Sequence, residues 1–363
     1  MINRIGCAVL AALMLTSAVS CSKKNKTKEV SKAVPNSEIV EETTETATEQ
    51  PKVEETGVNP LTGESGYNLS ANGKRPVAVM VNNIKAALPQ YGISEADIIY
   101  EVPVEGGITR LMAVYADYTN VPNVCSVRSC RYYYPQIALG LDAIYCHWGS
   151  DQTIALETLN RTGIDHLDGI SESGLFYRDE SRVGSYASEH TGYLCGAELP
   201  EHIASHGFRT DVNSEYIGGG LDFAGNGEEA VINGLDCSTL TLNFSDQYFS
   251  TFDYNAESGS YFKQHSGSPH MDGVTGEQLN FDNVFALQTS VYTDADGYLM
   301  NVELIGEGVG YYASKGKIEQ IKWKKESEYA PINLYDENGA ELKLNIGESY
   351  FGIIGTNRNI SFN

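Results

Sequence analysis

Past residue 57 the apolar positions follow two rhythms. The first half mixes short, wholly apolar runs with stretches of helical period. "VAVMV" (77–81), closed by Pro76 and Asn82, predicts a strand buried on both faces. "ADIIYEVPVEGGITRLMAVYAD" (96–117) predicts two strands joined at Gly106-Gly107, a pair that favours a tight turn. Ile137, Ala138 and Leu141 share one helical face, so a helix is expected over 130–140 with Ser129 as its N-cap. "DAIYCHWGS" (142–150) reads as a strand running into a small-residue turn, and 151–163 as a helix closed by Gly163. A loop-rich stretch then leads to a last helix near 197–206. Strands alternating with helices predict an α/β domain with a mixed sheet over 58–230.

The second half changes to strand after strand. "STLTLNF" (238–244), "VFALQTSVY" (284–292), "YLMNVELIG" (298–306), "GKIEQIKW" (316–323) and "SYFGIIG" (349–355) are separated by polar turns such as "DADG" (294–297) and "SKGK" (314–317). The pattern predicts a smaller β-rich meander or sandwich domain over 231–363. The whole is therefore expected to be α+β or α/β, in two domains.

The N-terminus obeys neither rhythm. Residues 1–20 read as a targeting segment: Arg4 is followed by an apolar run over 5–18, short for a bilayer span. Ala18, Val19 and Ser20 then lead into Cys21. A small residue before a cysteine at the end of a short apolar run is the lipoprotein signal. The Cys21 thiol is acylated, palmitate being the usual chain, and the preceding peptide is removed. Each buried CH₂ contributes about 0.8 kcal/mol, so two or three chains hold a protein on a membrane. Residues 22–56 contain no aromatic residue and are rich in Lys, Glu, Thr and Ser. That composition cannot offset ordering entropy, so 21–57 is expected to be a disordered tether. The expected location is the outer face of the cell membrane.

Charge narrows the partners. The 363 residues carry a formal net charge of −23, which excludes a nucleic-acid binder needing a basic face. Five cysteines remain after Cys21, namely Cys125, Cys130, Cys146, Cys195 and Cys237, an odd number with no C-x-x-C. Neither an essential disulfide framework nor a structural zinc site is expected. No cofactor motif occurs. "GEGVG" (306–310) is followed by a strand instead of a helix, and "SHGFR" (205–209) has Phe208 where an L,D-transpeptidase needs its cysteine.

The strings "RPVAVMVNN", "EVPVEGGITRLMAVY", "VRSCRYYY", "DAIYCHWGS" and "FYRDESR", with "GSPHMDGVTGEQL" and "GEGVGYYASKGKIEQIKWKK" later on, resemble the YerB-like lipoproteins. The resemblance covers about residues 58 to 355. It implies paired N- and C-terminal domains of uncharacterised function on a lipid anchor, with no established enzyme activity. The family usually has Asp where Asn82 stands, and Pro where Glu189 precedes His190.

Candidate chemistry gathers in the first domain. "CSVRSCRYYY" (125–134) sets Arg128 and Arg131 three apart in an acidic chain. At a helix N-terminus two cations are unfavourable without an anion, internal (Glu101 or Glu105) or external. Arg110, on the second strand of the predicted hairpin, is a supporting residue. His147 ends a strand ahead of Ser150 and Asp151, a set with acid–base or nucleophilic chemistry, or else a structural histidine beside a helix cap. His190 lies in a polar loop with Arg178, Asp179 and Arg182. No metal signature fits His147, Asp151 and His190. The expected pocket holds Arg128, Arg131, His147 and His190, with Arg178 at its edge. Two functions are compatible with it. One is binding of an anionic or glycan envelope component, or of an envelope protein. The alternative is a hydrolase or transferase acting through His147, Asp151 and His190.

Overall fold

The run VAVMV becomes the strand Val77–Asn82, and all six of its side chains are buried. It lies inside an 11-stranded mixed sheet of the computed structural model, which describes residues 56–295 and 297–363. The targeting segment, Cys21 and almost all of the tether lie outside the described residues.

The neighbours of this strand explain its burial. Ile98–Pro103 and Thr109–Tyr115 form the predicted antiparallel hairpin, and the second of them pairs with Val77–Asn82. Gly106 and Gly107 adopt φ of 75° and 69°, a conformation that glycine reaches without the strain a Cβ would bring. On the other side Ile144–His147 and then His166–Asp168 add in parallel. The crossovers between these parallel strands carry helices α1 (Tyr133–Gly140) and α2 (Ile154–Thr162). Gly163 closes α2 in the left-handed conformation, as expected. A third short helix, α3 (Leu199–Ser205), follows. The α/β layering is confined to this part, and the described chain is mostly strand with few helices.

Most strands of the second half divide between two sheets. Asn283–Thr289, Gly306–Ser314, Lys317–Lys325 and Ser349–Gly355 extend the large sheet. The join is direct: Ser349–Gly352 pairs in parallel with Ile98–Glu101. Ser349–Gly355 is buried along its whole length, as a central strand must be. Thr239–Asn243, Phe249–Asn255, Ser260–His265 and Ile360–Phe362 belong instead to a six-stranded sheet with the alternating burial of a one-sided surface.

Two cores result, one on each face of the large sheet. One joins Met80, Tyr100, Val102 and Met112 to Tyr133, Tyr134 and Ile137 of α1. The other joins Val79, Val81, Ile99 and Leu111 to Leu240, Leu242, Phe252 and Tyr261 of the six-stranded sheet. On the helix side, stacked rings cross from one half to the other. Tyr100 meets Phe351 at 4.9 Å, Phe351 meets Phe285 at 4.4 Å, and Phe285 meets Tyr312 at 4.8 Å. Each such pair adds about 0.5–1.5 kcal/mol beyond its burial.

Candidate functional site

Strand parity sorts the candidate side chains. Arg110 pairs with Val102 and so shares the helix-side face, whereas Glu101 shares the opposite face with Ile99. Glu101 therefore does not reach the arginines, which corrects the expectation that it could hold one. Glu105, in the turn of the hairpin, does. Arg131 Nε lies 2.9 Å from both Glu105 carboxylate oxygens, and Nη2 lies 2.8 Å from Oε2. The same carboxylate accepts from the Met300 backbone N–H at 3.2 Å. Burial raises the Glu105 pKa, but the Arg131 bond and charge outweigh it and hold the group below the usual carboxylate range.

The helix starts later than predicted. Tyr132 is the N-cap of α1, so Arg131 stands just ahead of it and Ser129 caps nothing. The Ser129 carbonyl instead accepts Arg110 Nη1 at 2.5 Å. Arg110 is 6% exposed, and that carbonyl is the one acceptor its guanidinium has among the described residues. Burial, and then the charges of Arg131 and Arg128, push its pKa down to about 10. Half-buried Arg128 has no side-chain hydrogen bond or ion pair among the described residues. Burial lowers its pKa, Glu189 pulls it up by less, and Arg131 and Arg178 add to the lowering. Arg178 stands 4.1 Å over the Trp148 ring and donates to the Ser188 carbonyl at 2.7 Å. Four guanidinium groups thus act on one another, and one of them has a bonded carboxylate.

His190 belongs to this neighbourhood. Asn82 Nδ2 donates to His190 Nδ1 at 2.9 Å, which leaves the ring proton on Nε2. Burial, with Arg128 and Arg182, lowers its pKa against the pull of Glu189. Arg182 fixes the loop from behind, donating to the Ala87 carbonyl at 2.9 Å and lying 4.3 Å over the Tyr91 ring.

His147 takes no part. Its ring stacks on Tyr145 and His166, and its nitrogens meet Gly149 O at 2.9 Å and His166 Nδ1 at 3.0 Å. The groups acting on it are Asp168 and His166, and burial brings its pKa down to about 4. Asp151 caps α2, accepting from the Thr153 hydroxyl at 2.9 Å and the Ala155 N–H at 3.1 Å. The expected grouping of His147 with Asp151 or with the arginines is not what the fold builds. No group of three or more His, Cys, Asp or Glu able to hold a metal occurs among the described residues. All five described cysteines are free.

A second polar cluster went unread in the sequence. Ser260–His265 places Tyr261, Lys263 and His265 inward by its period of two. Lys263 Nζ, fully buried, lies 3.2 Å from Glu101 Oε2 and donates to His270 Nδ1 at 3.0 Å. His270 Nε2 donates to Gln90 Oε1 at 2.9 Å, and Gln90 Nε2 to Asn83 Oδ1 at 3.0 Å. Asn83 Nδ2 returns to Glu101 Oε1 at 3.1 Å. This closed ring spans both halves of the chain. The Thr109, Ser250 and Tyr350 hydroxyls complete the shell of Glu101 at 2.7, 2.9 and 2.6 Å. Burial raises the Glu101 pKa, but Lys263, His265 and these donors hold it below the normal range. A lysine on the apolar parity of a strand was the available signal.

A hollow of about 780 Å³ lies elsewhere, between Gly225–Leu235 and the 318–320 and 336–343 segments. Glu228, Glu229, Glu319, Asp336, Glu337 and Glu341 line it, so it would repel an anion.

Fold and site together define a two-domain, sheet-rich protein with a set of mutually repelling arginines beside the Arg131–Glu105 pair. The chain belongs to the DUF3048 family. Residues 61–209 match "Protein of unknown function (DUF3048) N-terminal domain", and 240–351 match the corresponding C-terminal domain. It is similar to "Putative lipoprotein YerB" of Bacillus subtilis, 28% identical over 270 residues, covering 73% of this chain and 77% of that one. The crystal structure of YerB protein from Bacillus subtilis superposes with a TM-score of 0.69 at 24% identity, covering 83% of this chain and 98% of that one. No helix among the described residues is long and apolar enough to cross a membrane.

Proposed function

We propose that this chain is an envelope lipoprotein, held by acyl chains on Cys21 to the outer face of the cell membrane, whose folded body binds an anionic envelope component. One observation carries the binding reading. Arg110 is buried with a single carbonyl acceptor, and Arg128 beside it has no described partner. Burying like charges together is unfavourable unless an anion compensates them, and the carboxylate in the cluster is already forked onto Arg131. No observation favours the hydrolase or transferase alternative, because His147 and Asp151 spend their polar atoms within the fold.

The test is sulfate binding to the full chain at constant ionic strength. A ligand that binds only the folded state raises the thermal midpoint by mass action. Sulfate should raise it in the wild type and much less in Arg128→Ala. An equal rise in both would place the bound ion elsewhere, and no rise in the wild type would remove the anion site.

A further inference from the structure

We propose that the group this site accepts is a phosphate monoester, taken as its dianion. The inference rests on the anion-binding reading above and adds the ligand class. Charge is its first support. Arg131 and Glu105 neutralise each other. That leaves Arg110, bonded to the Ser129 carbonyl and lying opposite the Asn82 that holds His190, and Arg128, next to Ser129 in the chain, both without a bonded carboxylate among the described residues. Glu189 is exposed and forms no ion pair among the described residues. The Asp151 carboxylate is held in the cap of α2. The balance is two positive charges, which a dianion cancels and a carboxylate or phosphodiester does not.

Donor count is the second support. Arg110 gives one of its five N–H groups to Ser129, and Arg128 gives none to a described acceptor. His190 has its remaining proton on Nε2, because Nδ1 accepts from Asn82. A carboxylate offers two oxygens to these donors. A phosphate monoester offers three terminal oxygens, and guanidinium groups match them in pairs.

The experiment compares methyl phosphate, dimethyl phosphate, acetate and sulfate by titration calorimetry on the full chain. Methyl phosphate should bind at least about tenfold tighter than dimethyl phosphate or acetate. Its second ionisation lies near pH 6, so its affinity should rise about tenfold from pH 5 to pH 7.5. Sulfate, a dianion throughout, should stay flat. Arg128→Ala should weaken methyl phosphate about 10- to 150-fold, the equivalent of one charged hydrogen bond. Lys324→Ala, far along the chain and paired with Glu326, should leave it unchanged. Dimethyl phosphate or acetate binding as tightly, or an affinity that falls with pH, would overturn the monoester while leaving an anion site. No binding of any of the four would overturn both. Competition by phosphatidic acid vesicles but not by phosphatidylglycerol vesicles would place the monoester on a lipid. No competition by either would place it on a soluble or polymer-borne group, and both results keep the ligand class.

Discussion

Lys263→Met is the sharpest probe of how the two halves are held together. Lys263 has no exposed side-chain surface, and its ammonium meets Glu101 at 3.2 Å. Its Nζ also lies 5.9 and 5.7 Å from the ring centroids of Phe252 and Tyr350. Methionine is similar in length and apolar, so the substitution removes the charge with little change of volume. Glu101 is then a buried carboxylate without its cation, and His270 Nδ1 loses its donor. Removing one partner of a buried pair costs about 3–5 kcal/mol. With a urea m-value of about 3 kcal/mol per M, the midpoint should fall by about 1–1.7 M.

The pH dependence fixes the cause. In the wild type the folded Glu101 pKa is depressed, so its contribution is present above its unfolded value of 4.5 and is lost as pH falls through the folded value. Without Lys263, burial dominates and the folded pKa rises above the unfolded one, which reverses the sign. The Lys263→Met penalty should therefore be largest near pH 7 and shrink towards pH 4. Glu101→Gln combined with Lys263→Met should recover much of the loss, because no buried charge then remains. A penalty under about 1 kcal/mol at pH 7, or a double variant as weak as the sum of the singles, would refute the account.

Three further outcomes follow from the same geometry. Arg131→Ala should destabilise by about 1–3 kcal/mol, since it frees Glu105 from a partly buried fork, whereas Arg128→Ala should be neutral or slightly stabilising in urea melts without phosphate, because it relieves repulsion on Arg110. Reductant should leave the thermal midpoint unchanged, all five described cysteines being free; a fall of more than about 10 °C would reveal a bridge worth the usual 2–4 kcal/mol. Cys21→Ala should move the protein from the membrane fraction to the medium, or leave an uncleaved precursor, and fractionation like the wild type would sink the anchor.

What the sequence made legible was local. The run at 77–81, the hairpin about Gly106-Gly107 and the Gly163 cap follow from short-range period and turn chemistry, and all three are present. The Arg131–Glu105 pair was in reach because Glu105 sits in the turn, where parity does not constrain it. The assignment of Glu101 failed by one residue of parity: Val102 and Arg110 face α1, so Glu101 between Tyr100 and Val102 faces away. His147 failed for a different reason, its ring nitrogens being taken up by the Gly149 carbonyl and His166. Its ring lies with Tyr145, while Trp148 turns to Phe176 and carries Arg178. The ring of Glu101, Lys263, His270, Gln90 and Asn83 was illegible because partners bonded in it are up to 180 residues apart, and no local pattern brings strands 82–110 and 260–270 together.

The same long-range joins tie the arginine cluster to the second half of the chain. Glu105 is held by Arg131 on one side and by the Met300 N–H on the other. Tyr132, between Arg131 and α1, donates its hydroxyl proton to the Val302 carbonyl and accepts from the Val302 N–H. Asn82 and Asn83 divide between the two polar clusters. The Asn82 side chain orients His190, and its carbonyl accepts Gln90 from the ring at 2.9 Å, while Asn83 belongs to the ring itself. A first domain alone would thus keep the arginines but lose the Met300 bond to the carboxylate that offsets one of them, and would leave Glu101 without its cation. Ligand affinity and the buried ring are therefore expected to be coupled through these two adjacent residues. Lys263→Met should then weaken methyl phosphate binding although Lys263 touches none of the arginines, and Asn82→Ala should reproduce that loss while leaving the stability contribution of the ring largely intact. Wild-type affinity in both variants would show that the two clusters share a strand and nothing more.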